Sequence, residues 1–203
     1  MIDSGEFRRS AAAPDKSHED YRAQKHSVMS DLDVLAYRPG DPVPETRVMA
    51  VSCKAWQEGL SPTTFLNIFE GRTKESSAMS MRTFKELLDP LWAAAFRAKI
   101  LELTRQVEFT YVIAVTRLPK GCDAGESASR WMEVPAIRDQ LQGATIRFLT
   151  LTQMWNTIVE RTTTTLAPSD LGRLAQLLKA AGVLAEKAPE ESAQTRIAGA
   201  LAG

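Results

Sequence analysis

The chain is poor in the residues that build covalent or metal-held scaffolds. Its 203 residues include two cysteines, Cys53 and Cys122, and two histidines, His18 and His26. The cysteines are far apart and form no C-x-x-C pair, so neither a zinc site nor a disulfide framework is indicated. The histidines have no metal-ligand partners at suitable spacing and read as surface residues. Long apolar runs are missing too. None approaches the ~20 residues of a membrane span, and residues 1–13 carry charge without the apolar core of a signal peptide. The expectation is a cytoplasmic protein with no membrane partner.

Charge of one sign is also missing. Lysine plus arginine (25) equals aspartate plus glutamate (25), so no global field announces a polyanion or a lipid surface. The distribution is uneven, however. Residues 1–20 hold three basic and five acidic side chains and residues 185–203 two and three, which leaves 20 basic against 17 acidic between them. That excess permits a polyanionic partner without requiring one.

What remains is an ordinary globular composition, 44% hydrophobic and 25% charged, in a chain long enough for one domain with a real core. Residues 1–16 are polar and alanine-rich and read as a disordered segment. Ser17 is placed to cap a short helix through Lys25. Leu32–Tyr37 reads as a strand stopped by Pro39-Gly40, and Arg47–Ser52 as a strand buried on both faces. Apolar residues at three- and four-residue steps predict a helix from Met81 to about Arg105, which Pro90 kinks or splits. "FTYVIAVT" (109–116) and "TIRFLTL" (145–151) read as further strands, with helices over 131–142 and 152–161. Residues 17–161 thus form an α/β domain, a mixed central sheet flanked by helices. A linker and a leucine-rich helix over 162–184 form a C-terminal helical appendage, and 185–203 is a frayed or disordered tail. The stretch "SDLGRLAQLLKAAG" suggests half of a helix-turn-helix but has no second recognition-like helix, so it reads as a packing helix or an oligomer contact.

Two short phrases carry the chemistry, "SDLDVLAYR" (30–38) and "VMAVSCKAWQ" (48–57). Side chains alternate along a strand, so Asp31 and Asp33 share a face, as do Ser52 and Lys54, while Cys53 turns the other way into packing. If the strands pair, carboxylates, a hydroxyl and an ammonium meet on one face, beside the main-chain carbonyl of Cys53. A hard cation such as Mg²⁺ takes oxygen donors of this kind. A buried lysine also needs an acidic neighbour, and an ordinary Asp33–Lys54 ion pair would satisfy that need with no further role. Cys53 as a nucleophile would require a histidine base and an exposed thiol. Ser52 and Lys54 lack the S-x-x-K spacing of penicillin-recognising enzymes.

These phrases resemble the core of the PD-(D/E)xK nuclease superfamily, the restriction-endonuclease-like fold. Its pattern is an Asp ending one strand, then an acidic residue, any residue and Lys on the next. Asp33 matches the first acid, Lys54 the lysine and the Cys53 carbonyl the main-chain ligand between them, over a region of roughly residues 31–154. The resemblance implies a Mg²⁺- or Mn²⁺-dependent endonuclease acting on DNA, with restriction or repair as its setting. Lys54 would position the attacking water and Gln57 would lie near the scissile phosphate. Restriction-type relatives are often dimers, and the leucine-rich helix offers such a contact. The departure is Ser52, which stands where the family has Glu or Asp. Either Asp31 supplies the missing carboxylate, with Ser52 completing the shell, or hydrolysis is impaired and the fold serves as a DNA-binding or protein-interaction module. Glu19, with Asp20 as competitor, is the candidate for a further acid from an N-terminal helix. Trp56 is a candidate to stack on a base, although a tryptophan just after a buried strand more often serves core packing. Arg72, Lys74, Arg82, Lys85, Arg97 and Lys99 are candidate phosphate contacts, as are Arg47 and Arg147 beside strands, and all of them are equally expected on wet surfaces.

Overall fold

The computed structural model describes residues 6–22, 30–54, 59–73, 83–161 and 170–181. The chain divides into two compact units, residues 1–152 and 153–203.

The first unit is built on a five-stranded mixed sheet in the order β1-β2-β3-β4-β5. Strands β1 (Glu6–Ala12), β2 (Ser30–Tyr37) and β3 (Val48–Lys54) run antiparallel to one another, and β3, β4 (Thr110–Val115) and β5 (Thr145–Thr150) run parallel. Parallel neighbours need a crossover, and helices supply it. Between β3 and β4 lie α2 (Pro62–Phe69), the single turn α3 (Lys85–Leu88) and α4 (Pro90–Thr104), and between β4 and β5 lie α5 (Ala124–Glu133) and α6 (Pro135–Leu141). The four-residue helix α1 (Pro44–Arg47) precedes β3. A mixed sheet flanked by helices is therefore the architecture of this unit.

Burial distinguishes the strands. All six residues of β4 are buried, as a central strand covered on both faces must be, whereas β3 buries Val48, Ala50 and Ser52 and leaves the alternate positions partly open. The expectation that β3 is buried on both faces is corrected accordingly, and so is the inward placement of Cys53, whose side chain is exposed. Over the core face, Phe65, Phe69, Phe84, Trp131 and Phe148 form an edge-to-face cluster with ring centroids about 5–6 Å apart. The indole nitrogen of Trp131 donates to the Pro62 carbonyl at 3.0 Å, which ties α5 to α2.

Prolines set the helix starts. Asp89 caps α4 through the amides of Leu91 and Trp92, and Pro90 takes the first helical position, so the expected helix over 81–105 is split there. Pro135 divides the expected helix over 131–142 in the same manner. Two further corrections concern the N-terminus. Residues 6–12 form the edge strand β1 instead of a disordered segment. Of the helix expected from Ser17 through Lys25, residues 17–22 form turns and irregular backbone and 23–25 lie outside the described residues; the Asp15 carboxylate takes both the amide and the hydroxyl of Ser17, a local bond that competes with helix capping.

Of the second unit, the structure describes the bulk of α7 (Leu151–Arg161), which begins in the first unit, and α8 (Asp170–Ala180). In α8, Gly172 and Ala175 are buried, while Leu171, Leu174 and Leu177 are exposed. No helix among the described residues is long and apolar enough to cross a membrane.

Candidate functional site

The site lies where β2 and β3 part. Their pairing runs from Tyr37↔Val48 to Val34↔Val51 and goes no further. On its other edge β2 carries a bulge: Arg8 pairs with Leu35 but Ser10 with Leu32, so Asp33 and Val34 together stand opposite one residue of β1. The extra residue bends the strand at Asp33. Its carboxylate oxygen Oδ2 then accepts the Cys53 amide at 2.7 Å, in place of a main-chain ladder bond. Because the N–H and C=O of one strand residue face the same neighbour, the Cys53 carbonyl also faces the Asp33 side.

On the core face of β3, Ser52 is 3% exposed and Lys54 extends from the last position. The Lys54 ammonium lies 3.7 Å from Glu86 Oε1, with the lysine side chain 18% and the glutamate 3% exposed. Glu86 is in α3. The same carboxylate oxygen accepts a hydrogen bond from the Tyr111 hydroxyl, and Tyr111 is fully buried in β4. Above the ammonium sits the Phe84 ring, 5.4 Å to its centroid. Burial chiefly pushes the Tyr111 phenol well above its ordinary value. The charge of Glu86 and its hydrogen bond add to the rise, a hydrogen bond with Ser52 opposes it, and the charge of Asp33 adds again. The side chains of Ser52, Tyr111, Glu86 and Lys54 are thus one connected polar network inside an apolar core, with Asp33 at its margin.

The expected acidic neighbour of Lys54 therefore exists, but it is Glu86 and not Asp33. Ser52, buried in β3, shares a hydrogen bond with the Tyr111 hydroxyl, which in turn donates to the carboxylate that arrives from α3. Neither Glu86 nor Tyr111 was singled out from sequence. The available signals were indirect: a hydroxyl inside the apolar run "FTYVIAVT" that had to find a partner, and a buried lysine that required an anion.

The other expected residues are dispersed. Asp31 belongs to β2 and pairs with Ala11, but its side chain lies outside what is described, as do Gln57, Trp56, Lys74 and Arg82 altogether. Glu19 and Asp20 are exposed in a turn whose Asp15 and His18 line a groove against Leu91 and Ala95 of α4, and no contact joins either acid to the network. Arg72 pairs with Glu70, Lys99 with Glu102, Lys85 lies 3.9 Å over the Trp92 ring, and Arg97 donates to the Gln140 carbonyl. Arg47 donates to the Asp41 carbonyl at 2.8 Å. These local attachments do not make a phosphate-binding row. Although Cys53 is exposed at the surface, partial desolvation chiefly raises its thiol, the charge of Asp33 adds to the rise and Lys54 opposes it, which disfavours the nucleophilic thiolate.

The donors at this end of the sheet are all oxygens: the Asp33 carboxylate, the Cys53 carbonyl and, behind Lys54, the Glu86 carboxylate. Oxygen donors suit a hard divalent cation in kind. In number they are few, and no group of three or more histidine, cysteine, aspartate or glutamate side chains gathers among the described residues. No protein family, curated protein or solved structure matches this chain.

Proposed function

We propose that the protein hydrolyses phosphodiester bonds of DNA with the help of Mg²⁺ or Mn²⁺, in the manner of the PD-(D/E)xK nucleases its two strand phrases resemble. The single observation that carries this reading is the approach of Asp33 and the Glu86–Lys54 pair to the end of β3. Two acids and a lysine are delivered there by three different elements, β2, α3 and β3. The element order supports it as well: after the two motif strands β2 and β3, a long helix and then the strands β4 and β5 follow in the order that the resemblance implies.

In this reading Asp33 and the Cys53 carbonyl would hold the cation, and the chemistry it would supply there is polarisation of a phosphate and a lowered pKa of water. Glu86 takes the place of the missing second acid. Lys54 neutralises charge that develops on the phosphate, held in position by Glu86 and the Phe84 ring until substrate competes for it. Tyr111 fixes the Glu86 carboxylate by donating to it.

A second reading rests on that last bond. Tyr111 and Lys54 together already satisfy Glu86, so the network is complete as a structural device, and the protein is then a nuclease-fold binding module for DNA or another protein. One experiment separates the two. Supercoiled plasmid is incubated with the protein and Mg²⁺ or Mn²⁺, beside Lys54→Ala and Asp33→Asn. Nicking by the parent that both variants lose supports the enzyme. Equal background cleavage by all three leaves the binding module.

A further inference from the structure

The two acids at the end of β3 are placed very differently. Glu86 is 3% exposed, and its Oε1 already accepts the Tyr111 hydroxyl and faces the Lys54 ammonium at 3.7 Å. A cation on that oxygen would stand beside the ammonium, like charge against like charge, with little water between to screen them. Reaching Glu86 would therefore mean displacing Lys54 and the Tyr111 bond together.

Asp33 is the reverse case. It is half-buried, and among the described residues no lysine or arginine forms an ion pair with it. Its Oδ2 takes the Cys53 amide at 2.7 Å, and no described residue bonds its Oδ1. The β2–β3 ladder has already ended at Val34↔Val51, so the Cys53 carbonyl has no strand partner on that side. One negative charge and two oxygens thus remain available at this junction. Mg²⁺ and Mn²⁺ surround themselves with roughly six oxygens, so two protein donors leave most of the shell to water and phosphate.

We infer that the chain takes up a single divalent cation, on Asp33 and the Cys53 carbonyl alone, and holds it firmly only when a phosphodiester supplies further oxygens. Glu86 is the counter-ion of Lys54 and not a ligand. The inference rests on the nuclease reading above for the class of the phosphodiester. It makes uptake of the ion and of a nucleic-acid strand reciprocal: whichever binds first raises the affinity for the other by the same factor.

The test uses the full chain. Free Mn²⁺ is measured by electron paramagnetic resonance, and binding of a short fluorescent duplex with hydrolysis-resistant phosphorothioate linkages by anisotropy. The protein alone is expected to take up one Mn²⁺ with a Kd on the order of 1 mM. Mn²⁺ should tighten duplex binding about tenfold relative to chelator. Asp33→Asn should abolish both effects, whereas Lys54→Met/Glu86→Gln should keep the Mn²⁺ uptake and the tightening factor. A second Mn²⁺ on the protein alone overturns the inference, as does duplex binding indifferent to Mn²⁺. Uptake lost in the double variant, with circular dichroism showing it folded, overturns it too. Should that variant unfold, Tyr111→Phe decides: freeing Glu86 from its donor raises Mn²⁺ affinity if that carboxylate is a ligand and leaves it unchanged if it is not. Mn²⁺-dependent duplex binding without plasmid nicking sinks hydrolysis alone, while nicking by a protein whose Mn²⁺ affinity ignores the duplex sinks this inference alone.

Discussion

The ammonium of Lys54 and the carboxylate of Glu86 meet at 3.7 Å, although 32 positions separate them in sequence and one comes from a strand and the other from a single helical turn. The pair is almost out of water, so its two halves depend on each other. Removing one partner leaves an uncompensated buried charge, while removing both need cost little. Lys54→Met is expected to lower stability by about 2–4 kcal/mol. The double variant Lys54→Met/Glu86→Gln should recover much of that loss. Urea unfolding of the four proteins of this cycle measures it, and simple additivity of the two single losses would show that the pair is uncoupled.

Tyr111 gives the same network a pH dependence. Its phenol is raised well above the ordinary value of about 10 by burial and by Glu86. A group raised in the folded state favours folding fully below its unfolded value, and that contribution drains away as pH climbs toward the folded value. Stability should therefore hold up to about pH 10 and fall above it. In Tyr111→Phe the alkaline part of this fall should flatten. Chemical denaturation across pH 8–11 decides it, since a variant with an unchanged alkaline slope would place the titration elsewhere.

Restoring an acid at position 52 is not expected to restore a site. Ser52 is buried and hydrogen-bonds the same Tyr111 hydroxyl that donates to the Glu86 carboxylate. Ser52→Glu would add a second carboxylate to a low-dielectric space that already holds one, and like charges disfavour joint ionisation. The expected result is a loss of about 3 kcal/mol or more with no gain in Mn²⁺ affinity. Calorimetric titration with Mn²⁺ would refute this by showing tighter binding in a variant that remains folded.

Much of the frame was legible from residue pattern alone. β2 to β5 were predicted within a residue or two, because "VMAVS", "FTYVIAVT" and "TIRFLTL" are apolar runs of strand length bounded by turn residues. Pro90 announced the break before α4. What escaped detection depended on partners distant in sequence. Glu6–Ala12 is polar and alanine-rich, and only pairing with β2 makes it a strand. The bulge at Asp33 comes from that same pairing, and it is the bulge that takes Asp33 out of the ladder. Glu86 occupies a turn whose sequence resembles any helix start, so its role follows from where Lys54 and Tyr111 end up.

Gly59 offers a stability measure of the close approach between the segment after β3 and Arg117. An alanine there meets the Arg117 carbonyl at a distance no real Cβ tolerates, and it must also adopt a positive φ that side chains rarely accept. Gly59→Ala is expected to cost about 2 kcal/mol or more, against a few tenths for Gly40→Ala, whose φ is also positive but whose surroundings are open, once the shared φ penalty of ~1 kcal/mol is subtracted. Equal losses in thermal unfolding would mean that φ alone matters and that the Arg117 contact relaxes freely.

Asp33 provides the sharpest separation of structure from chemistry. Its Oδ2 is an acceptor for the Cys53 amide, a role that asparagine can also fill, whereas holding a cation requires the charge. Asp33→Asn should therefore keep stability within about 1 kcal/mol of the parent, because the amide oxygen replaces the acceptor. Asp33→Ala should lose about 1–3 kcal/mol by leaving the Cys53 amide unpaired. Both variants should lose Mn²⁺-dependent plasmid nicking alike. An Asp33→Asn protein that is stable and still cleaves at the parent's rate would assign the carboxylate to the β2–β3 junction alone, and the cation would have to be held by other groups.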